Sequence, residues 1–212
     1  MTNPIHTLGG GWLHGIRVAL LTKGISITIG LPIHTADEIS FCAAFHDIGK
    51  LAIPAAILEK PGRLTQEERK EIETHPLCGA KILPEQLQRN HQYLSLATIY
   101  HHERWDGTGY PFGLQGYDIP LVAQIIGAAD CIDALCSERP YKSGLLPDEA
   151  VNLILHGKCG PFNRVVSQYL SSKEAREFLD IVFRTDDIRW FDRDLIRKVE
   201  QTCKEYTFRG CF

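Results

Sequence analysis

Histidine and aspartate recur along this chain at intervals of one helix plus its connection, and that spacing constrains the fold more than any other feature. His14, His46-Asp47, His75, His101-His102 and Asp130 stand 32 (14 to 46), 29 (46 to 75), 26 (75 to 101) and 28 (102 to 130) residues apart. Successive helices of a bundle spaced in this way can each hand a polar side chain to one interior point, which is how bundles build metal sites. Taken singly, each residue is a weak signal, because a histidine near a helix end is ordinarily just hydrogen-bonded there. Adjacent histidines such as His101 and His102 point about 100° apart on a helix, so both reach one centre only where a helix ends against it. His91 stands near a helix start and fits no such series. The ordered set is the signal.

The rest of the chain reads as helices with short connections and shows no run of alternating strand residues. Thr35-x-x-Glu38 has the form of a capping box, with Ile39, Ala43 and Ala44 continuing at helical spacing towards His46 and Asp47, and Gly49 as a stop. Thr65-x-x-Glu68 is a second box, opening a charged helix that reaches His75 before Pro76 interrupts it. A third helix is expected from about Tyr93 to His102, followed by a loop over residues 106–111 with two glycines and a proline. A fourth is expected from Leu121 to Cys136 and a fifth from Pro147 to about Gly157. Ser171-x-x-Glu174 opens another, and Asp192 caps the last, with Leu195, Val199 and Cys203 at i, i+4, i+8. The expected fold is all-α: a helical bundle over residues 1–170, with a C-terminal helical extension over 171–212 packed on that domain or continuing it.

Composition narrows the function. A chain of 212 residues that is 44% hydrophobic can bury a core of its own. Its formal charge of -3 provides no basic face for a DNA or RNA polymer. A small phosphorylated ligand remains allowed, since bound cations can supply local positive charge. The seven cysteines (Cys42, Cys78, Cys131, Cys136, Cys159, Cys203 and Cys211) are odd in number and include no C-x-x-C pair, so they read as reduced thiols that mostly pack as small apolar residues. The first residues, Met1 to Leu13, lack the pattern of a secretory signal. The apolar stretch from Val18 to Ile33 is short and broken by Lys23. A soluble, cytoplasmic protein is expected, with any membrane sensing left to a partner.

The motifs then become specific. His46-Asp47-Ile48-Gly49-Lys50, Thr74-His75-Pro76 and His101-His102-Glu103-Arg104-Trp105-Asp106-Gly107-Thr108-Gly109-Tyr110-Pro111 occur in order. They are followed by Ala129-Asp130-Cys131-Ile132-Asp133-Ala134-Leu135 and Arg139-Pro140-Tyr141-Lys142. This series, over about residues 14 to 160, resembles the HD-GYP group of the HD hydrolase superfamily. The resemblance implies an HD-domain bundle with a dinuclear metal site between its helices. It places one ion on His14, His46, Asp47 and Asp130 and the second on Asp47, His75, His101 and His102, with Asp47 as the bridge. A hydroxide between the ions would be the nucleophile, and Lys50 would hold the scissile phosphate. Arg139 and Lys142 would grip phosphate and guanine, and Gly109, Tyr110 and Pro111 would line the pocket mouth. Imidazole and carboxylate ligands together suit iron, manganese or zinc better than magnesium or calcium.

The implied activity is hydrolysis of cyclic di-GMP to pGpG, and in some members onward to GMP. The alternatives are hydrolysis of another cyclic or linear dinucleotide, such as cyclic GMP-AMP, and a non-catalytic sensing or adaptor module. Three departures from the family pattern shape the expectation. Some members bind a third metal through a glutamate one turn before the first histidine; Gly10 occupies that position, so two metals are expected here. Gly15 replaces a small hydroxyl residue, with little expected consequence. Only thirteen residues precede His14, which implies a stand-alone enzyme or one regulated by a separate protein. Homodimerisation, or a regulatory or cyclase partner at the Gly109-Tyr110-Pro111 loop, fits that picture.

Overall fold

A computed structural model describes residues 11–137, 143–184 and 192–206. Over these residues the chain is all-α, as expected. The helices are α1 (Trp12–Thr28), α2 (Ile33–Ala43), α3 (Ala55–Leu58), α4 (Gln66–Ile72), α5 (His75–Ile82) and α6 (Glu85–Asn90). They continue with α7 (Leu94–Tyr100), α8 (Leu121–Cys136), α9 (Pro147–Leu155), α10 (Arg164–Leu170), α11 (Lys173–Arg184) and α12 (Arg193–Glu205). The sole β-type pairing among the described residues is an isolated bridge between Asp106 and Gln115.

The helix α8 is the axis of the molecule, and its composition explains why. Pro120 precedes it, and its interior runs Val122 to Ile132 almost without a polar residue. A helix apolar on nearly all sides has to be surrounded. It packs against α1, α7, α9 and α10, and α1 in turn lies along α2. Ile16, Leu21, Phe41, Phe45, Leu94, Ile125, Ile126 and Leu170 share one buried cluster, each such side chain contributing about 1.5–3 kcal/mol of burial. The helices after residue 171 join that cluster through Ala175, Leu179 and Val182 of α11 and Leu195, Ile196, Val199 and Cys203 of α12. No helix among the described residues is long and apolar enough to cross a membrane.

Several helix ends follow the sequence reading. Thr65 caps α4 with the full reciprocal box, α8 has the bounds expected of it, and the Asp192 carboxylate accepts the Leu195 N–H at 2.9 Å. Lys23 ties that cap down, with Nζ at 2.5 Å from Asp192 and 2.6 Å from Asp37.

Other ends differ. Helix α2 begins two residues before Thr35, after Pro32, and Thr35 makes no cap. A proline with extended ψ ends the preceding segment, so the helix starts at the first residue free to turn. Helix α4 stops at Ile72, and His75 opens a separate helix with Pro76 in its first turn, where a missing N–H does no harm. Helix α11 begins at Lys173, one residue later than the box at Ser171 requires, and the Ser172 hydroxyl accepts the Ala175 N–H at 3.1 Å. Helix α7 stops at Tyr100, short of His101 and His102.

Candidate metal centre

The polar residues of the series converge because the elements that carry them end at one place. After Ala43 the backbone bonds shorten from four residues to three: Phe45 N–H donates to Cys42 O, His46 to Ala43 and Ile48 to Phe45. This tighter winding carries His46 and Asp47 off the end of α2. The chain then forms a 3₁₀ turn over Ile48–Ala52. His75 stands on the first residue of α5, His101 and His102 follow the end of α7, His14 lies in the first turn of α1, and Asp130 lies on α8. The close approach of α8 to His101 depends on Gly127, where a Cβ would sit 2.4 Å from the His101 carbonyl.

The seven predicted ligands fall into two groups. His14, His46 and Asp130 present ligand atoms all within 4.8 Å of one another, and so do Asp47, His75, His101 and His102. Asp47 faces both groups. Its Oδ2 lies 3.5 Å from Nε2 of His14 and of His46, while its Oδ1 lies 3.2 Å from Nε2 of His75 and 3.7 Å from that of His101. Asp130 Oδ1 completes the first group at 3.5 Å from His14 and 3.7 Å from His46. One carboxylate turned to each side is the arrangement that holds two ions ~3.5–4 Å apart.

The outer hydrogen bonds of these histidines decide which atoms point inward. Nδ1 is engaged in four of them: His46 with Ala43 O at 2.8 Å, His75 with Ile72 O at 2.7 Å, His101 with Ala97 O and Thr98 O at 3.0 Å each, and His14 with Asp133 Oδ2 at 2.6 Å. Each bond leaves Nε2 directed at the centre, as metal-ligating histidines are oriented by their outer partners. Within the centre, His46 Nε2 and Asp47 Oδ1 are buried without any hydrogen-bond partner. Buried polar atoms left so are costly unless something else binds them, and the Nε2 atoms of His75 and His101 approach to 3.3 Å. The donor set therefore fits divalent metal ions.

Electrostatics agree with that donor set. Burial, with the neighbouring His46 and His75, pushes the His101 pKa down to about 4 against the pull of Asp47. Burial and His101 hold His102 well below the usual imidazole range. Both rings are neutral near pH 7, the form that coordinates. Burial alone would push Asp47 up, yet Lys50 and His46 hold it well below the usual carboxylate range, and His46 does the same for Asp130. His14 is the exception. Burial disfavours its charge, but its hydrogen bonds to Asp133 and Asp47 raise it to about 10, so an ion taking its Nε2 displaces a proton.

The remaining predicted residues lie at the rim or outside the described residues. Lys50 Nζ contacts Asp47 Oδ2. Tyr110 stacks on His102 with ring centroids 4.6 Å apart, which puts the Gly109-Tyr110-Pro111 turn against the second group. Arg139, Lys142 and Gly10 lie outside the described residues. His91 lies away from the centre, with its ring 4.4 Å from that of Phe41.

Two residues escaped the sequence reading. Glu103 is buried, and its carboxylate accepts the N–H groups of Phe112 at 2.8 Å and Leu114 at 2.9 Å, which holds the turn after Tyr110 in place. Nothing in a single sequence marks a glutamate as buried. Asp133 binds His14 and also Arg17, whose Nη2 reaches Ser137 Oγ at 2.7 Å. Here a signal existed: Asp130 and Asp133, like His14 and Arg17, are three residues apart and share a helix face. Asp133→Asn should keep the fold and weaken metal binding at the group that contains His14 by about 10–100-fold. Calorimetric titration of metal into the metal-free protein reads that change, and equal affinities for the variant and the parent would count against the role.

Comparison with known proteins agrees with this geometry. The model of the HD domain family matches residues 14–158. The chain is 44% identical over 135 residues to the cyclic di-GMP phosphodiesterase response regulator RpfG of Xanthomonas campestris pv. campestris, covering 64% of this chain and 36% of that one. It is 42% identical over 129 residues to 3'3'-cGAMP-specific phosphodiesterase 2 of Vibrio cholerae, covering 61% of this chain and 25% of that one. The fold superposes on the cyclic GMP-AMP specific phosphodiesterase V-cGAP3 of Vibrio cholerae with a TM-score of 0.62 at 18% identity, over 96% of this chain and 56% of the other. The chain spans between 34% and 47% of the length of the first curated relatives it matches. From the His46-Asp47 pair at the centre, its ordered partners and this match, the chain belongs to the HD domain family.

Proposed function

We propose that this chain is a metal-dependent phosphodiesterase that hydrolyses cyclic di-GMP to pGpG, using two divalent ions, iron or manganese in the first instance and zinc as the third choice. The observation that carries the reading is Asp47, with one oxygen turned to each of two histidine-containing groups. When bound, a metal pair supplies a water of lowered pKa and positive charge for the phosphate. His14, His46, Asp47 and Asp130 would hold one ion, and Asp47, His75, His101 and His102 the other. The Nδ1 hydrogen bonds of four histidines fix their rings, so little reorganisation accompanies the reaction.

Lys50 stands beside Asp47 with its side chain 22% exposed, where its ammonium can take a phosphate oxygen and stabilise the charge that develops on it. Tyr110 forms a wall over His102, and burial raises its phenol pKa, which keeps that wall neutral. Arg139 and Lys142 would grip phosphate and guanine, the arginine through paired hydrogen bonds from its planar fork. Lys50→Ala should leave both ions in place and slow turnover by about 10²–10³-fold, the usual effect of removing one preorganised donor. Loss of metal in that variant would instead make Lys50 a structural partner of Asp47.

The deciding experiment is hydrolysis of cyclic di-GMP by anaerobically purified protein, with metal counted on the same sample. Turnover with about two ions per chain is the expected result. Two bound ions with no turnover of this ring would overturn the substrate reading. A second reading, cyclic GMP-AMP as substrate, is favoured by the match to relatives named as specific for that ring. Comparing the two rings on one preparation separates them.

A further inference from the structure

The four histidines with an engaged Nδ1 are not held in the same way. His46, His75 and His101 each bond a carbonyl three or four residues earlier in the chain. His14 instead bonds the carboxylate of Asp133, which arrives on another helix from 119 residues away. Its own helix gives it little support. Gly11 caps α1 without a side-chain hydrogen bond, and the first turn carries no acidic residue. The turn that presents His14 is therefore the kind of helix end that frays.

Arg17 supplies the missing support. It lies three residues after His14, so both side chains leave the same face of α1. Its Nε donates to Asp133 Oδ1, and its Nη2 lies 3.3 Å from Asp133 Oδ2 and 2.7 Å from Ser137 Oγ. Asp133 and Ser137 stand one turn apart at the end of α8, where the Ser137 N–H donates to Asp133 O at 2.9 Å. One guanidinium thus spans the last turn of α8 from a stem near the start of α1. Each helix carries a ligand of the same metal group about one turn away, His14 on α1 and Asp130 on α8. Asp133 is buried, and a buried carboxylate that loses a cationic partner is left with uncompensated charge.

We propose that Arg17 is a positioning residue for the ion held by His14, His46, Asp47 and Asp130, acting through Asp133 and Ser137 to lock the first turn of α1 against the last turn of α8. The inference rests on the metal reading of the centre. The position calls for a fork: a planar guanidinium reaches two acceptors in fixed directions, and a lysine ammonium on its flexible stem does not. Without the fork Asp133 still faces His14, but neither the carboxylate nor the turn is fixed. Nε2 of His14 then no longer keeps its place 3.5 Å from both Asp47 and Asp130.

The test titrates Mn(II) calorimetrically into the metal-free full chain, for the parent, Arg17→Met, Arg17→Lys, Asp133→Asn and the double variant of Arg17→Met with Asp133→Asn. Arg17→Met should weaken one of two binding steps by about 10–100-fold, the usual effect of losing an outer partner, and leave the other unchanged. Asp133→Asn should weaken the same step. The double variant should bind no more weakly than the worse single one, because residues that act as one unit do not add. Arg17→Lys should fall short of parent affinity. Parent-like affinity in Arg17→Met or Arg17→Lys, or losses that multiply in the double variant, would overturn the proposal. Equal weakening of both steps would mark a merely structural residue and overturn it too. If Arg17→Met does not fold, Ser137→Ala carries the test, with a loss of about 2–10-fold expected at that step, the effect of one hydrogen bond; no loss there sinks the idea.

A second readout needs no metal. The His14 Nδ1–H proton resonance of the metal-free chain, identified by its loss in His14→Ala, should broaden through exchange with water in Arg17→Met. An unchanged resonance would overturn the hold of Arg17 on His14. Failure of the parent to bind Mn(II) would count against the metal reading alone, because the proton resonance decides the positioning role without it.

Discussion

Replacing Asp47 with alanine should empty both metal groups together and reduce the proposed phosphodiesterase turnover by about 10³-fold or more. One of its oxygens is turned to each group, Oδ2 at 3.5 Å from His14 and His46 and Oδ1 at 3.2 Å from His75. No histidine of either group can substitute for a bridge. A metal pair supplies several kcal/mol of transition-state stabilisation, and each 1.36 kcal/mol is a factor of about ten in rate. Metal analysis and turnover on the same purified variant check both parts of the result. Asp47→Asn is the informative companion, since it keeps the shape and removes the charge. Full activity in either variant would show that the assignment of the centre is wrong.

The largest stability effect is expected at Gly49. This residue lies in the 3₁₀ turn after Asp47, and a Cβ there would stand 1.8 Å from the His75 carbonyl oxygen and 2.5 Å from the Gly79 nitrogen. Both obstacles are backbone, so no side-chain rotation relieves the overlap. The turn and α5 must separate, and with them Asp47, which immediately precedes the turn, and His75, which opens α5. Gly49→Ala should cost about 3 kcal/mol or more, the upper range for overpacking. For a chain of this size that lowers the melting temperature by roughly 6–12 °C. Thermal unfolding with and without added Mn(II) reads it, and the variant should also bind metal more weakly. A melting temperature equal to that of the parent would show that the turn can move at no cost.

Gly49 also shows where sequence reasoning stops. Its position after a helical run reads as a helix stop, yet α2 ends at Ala43. The residue is glycine because another backbone passes against it. Local periodicity cannot report that contact, since the partner is α5. Asp133 makes a related point. Its three-residue offset from Asp130 is legible, but its partner His14 is 119 residues away.

Much was nonetheless written in the order of residues. The helical periodicity, the cap at Thr65, the bounds of α8 and the set of seven histidines and aspartates depend on side-chain type and on spacing along one element. Those are local properties, carried by each segment before it meets another. Tertiary structure alone decided which oxygen of Asp47 faces which group, which nitrogen of His14, His46, His75 and His101 points inward, and why Glu103 is buried beneath the Tyr110 turn. Those outcomes depend on distances of a few ångströms between segments far apart in the chain. Such distances are set by how helices pack around α8, and no single segment encodes its packing partners.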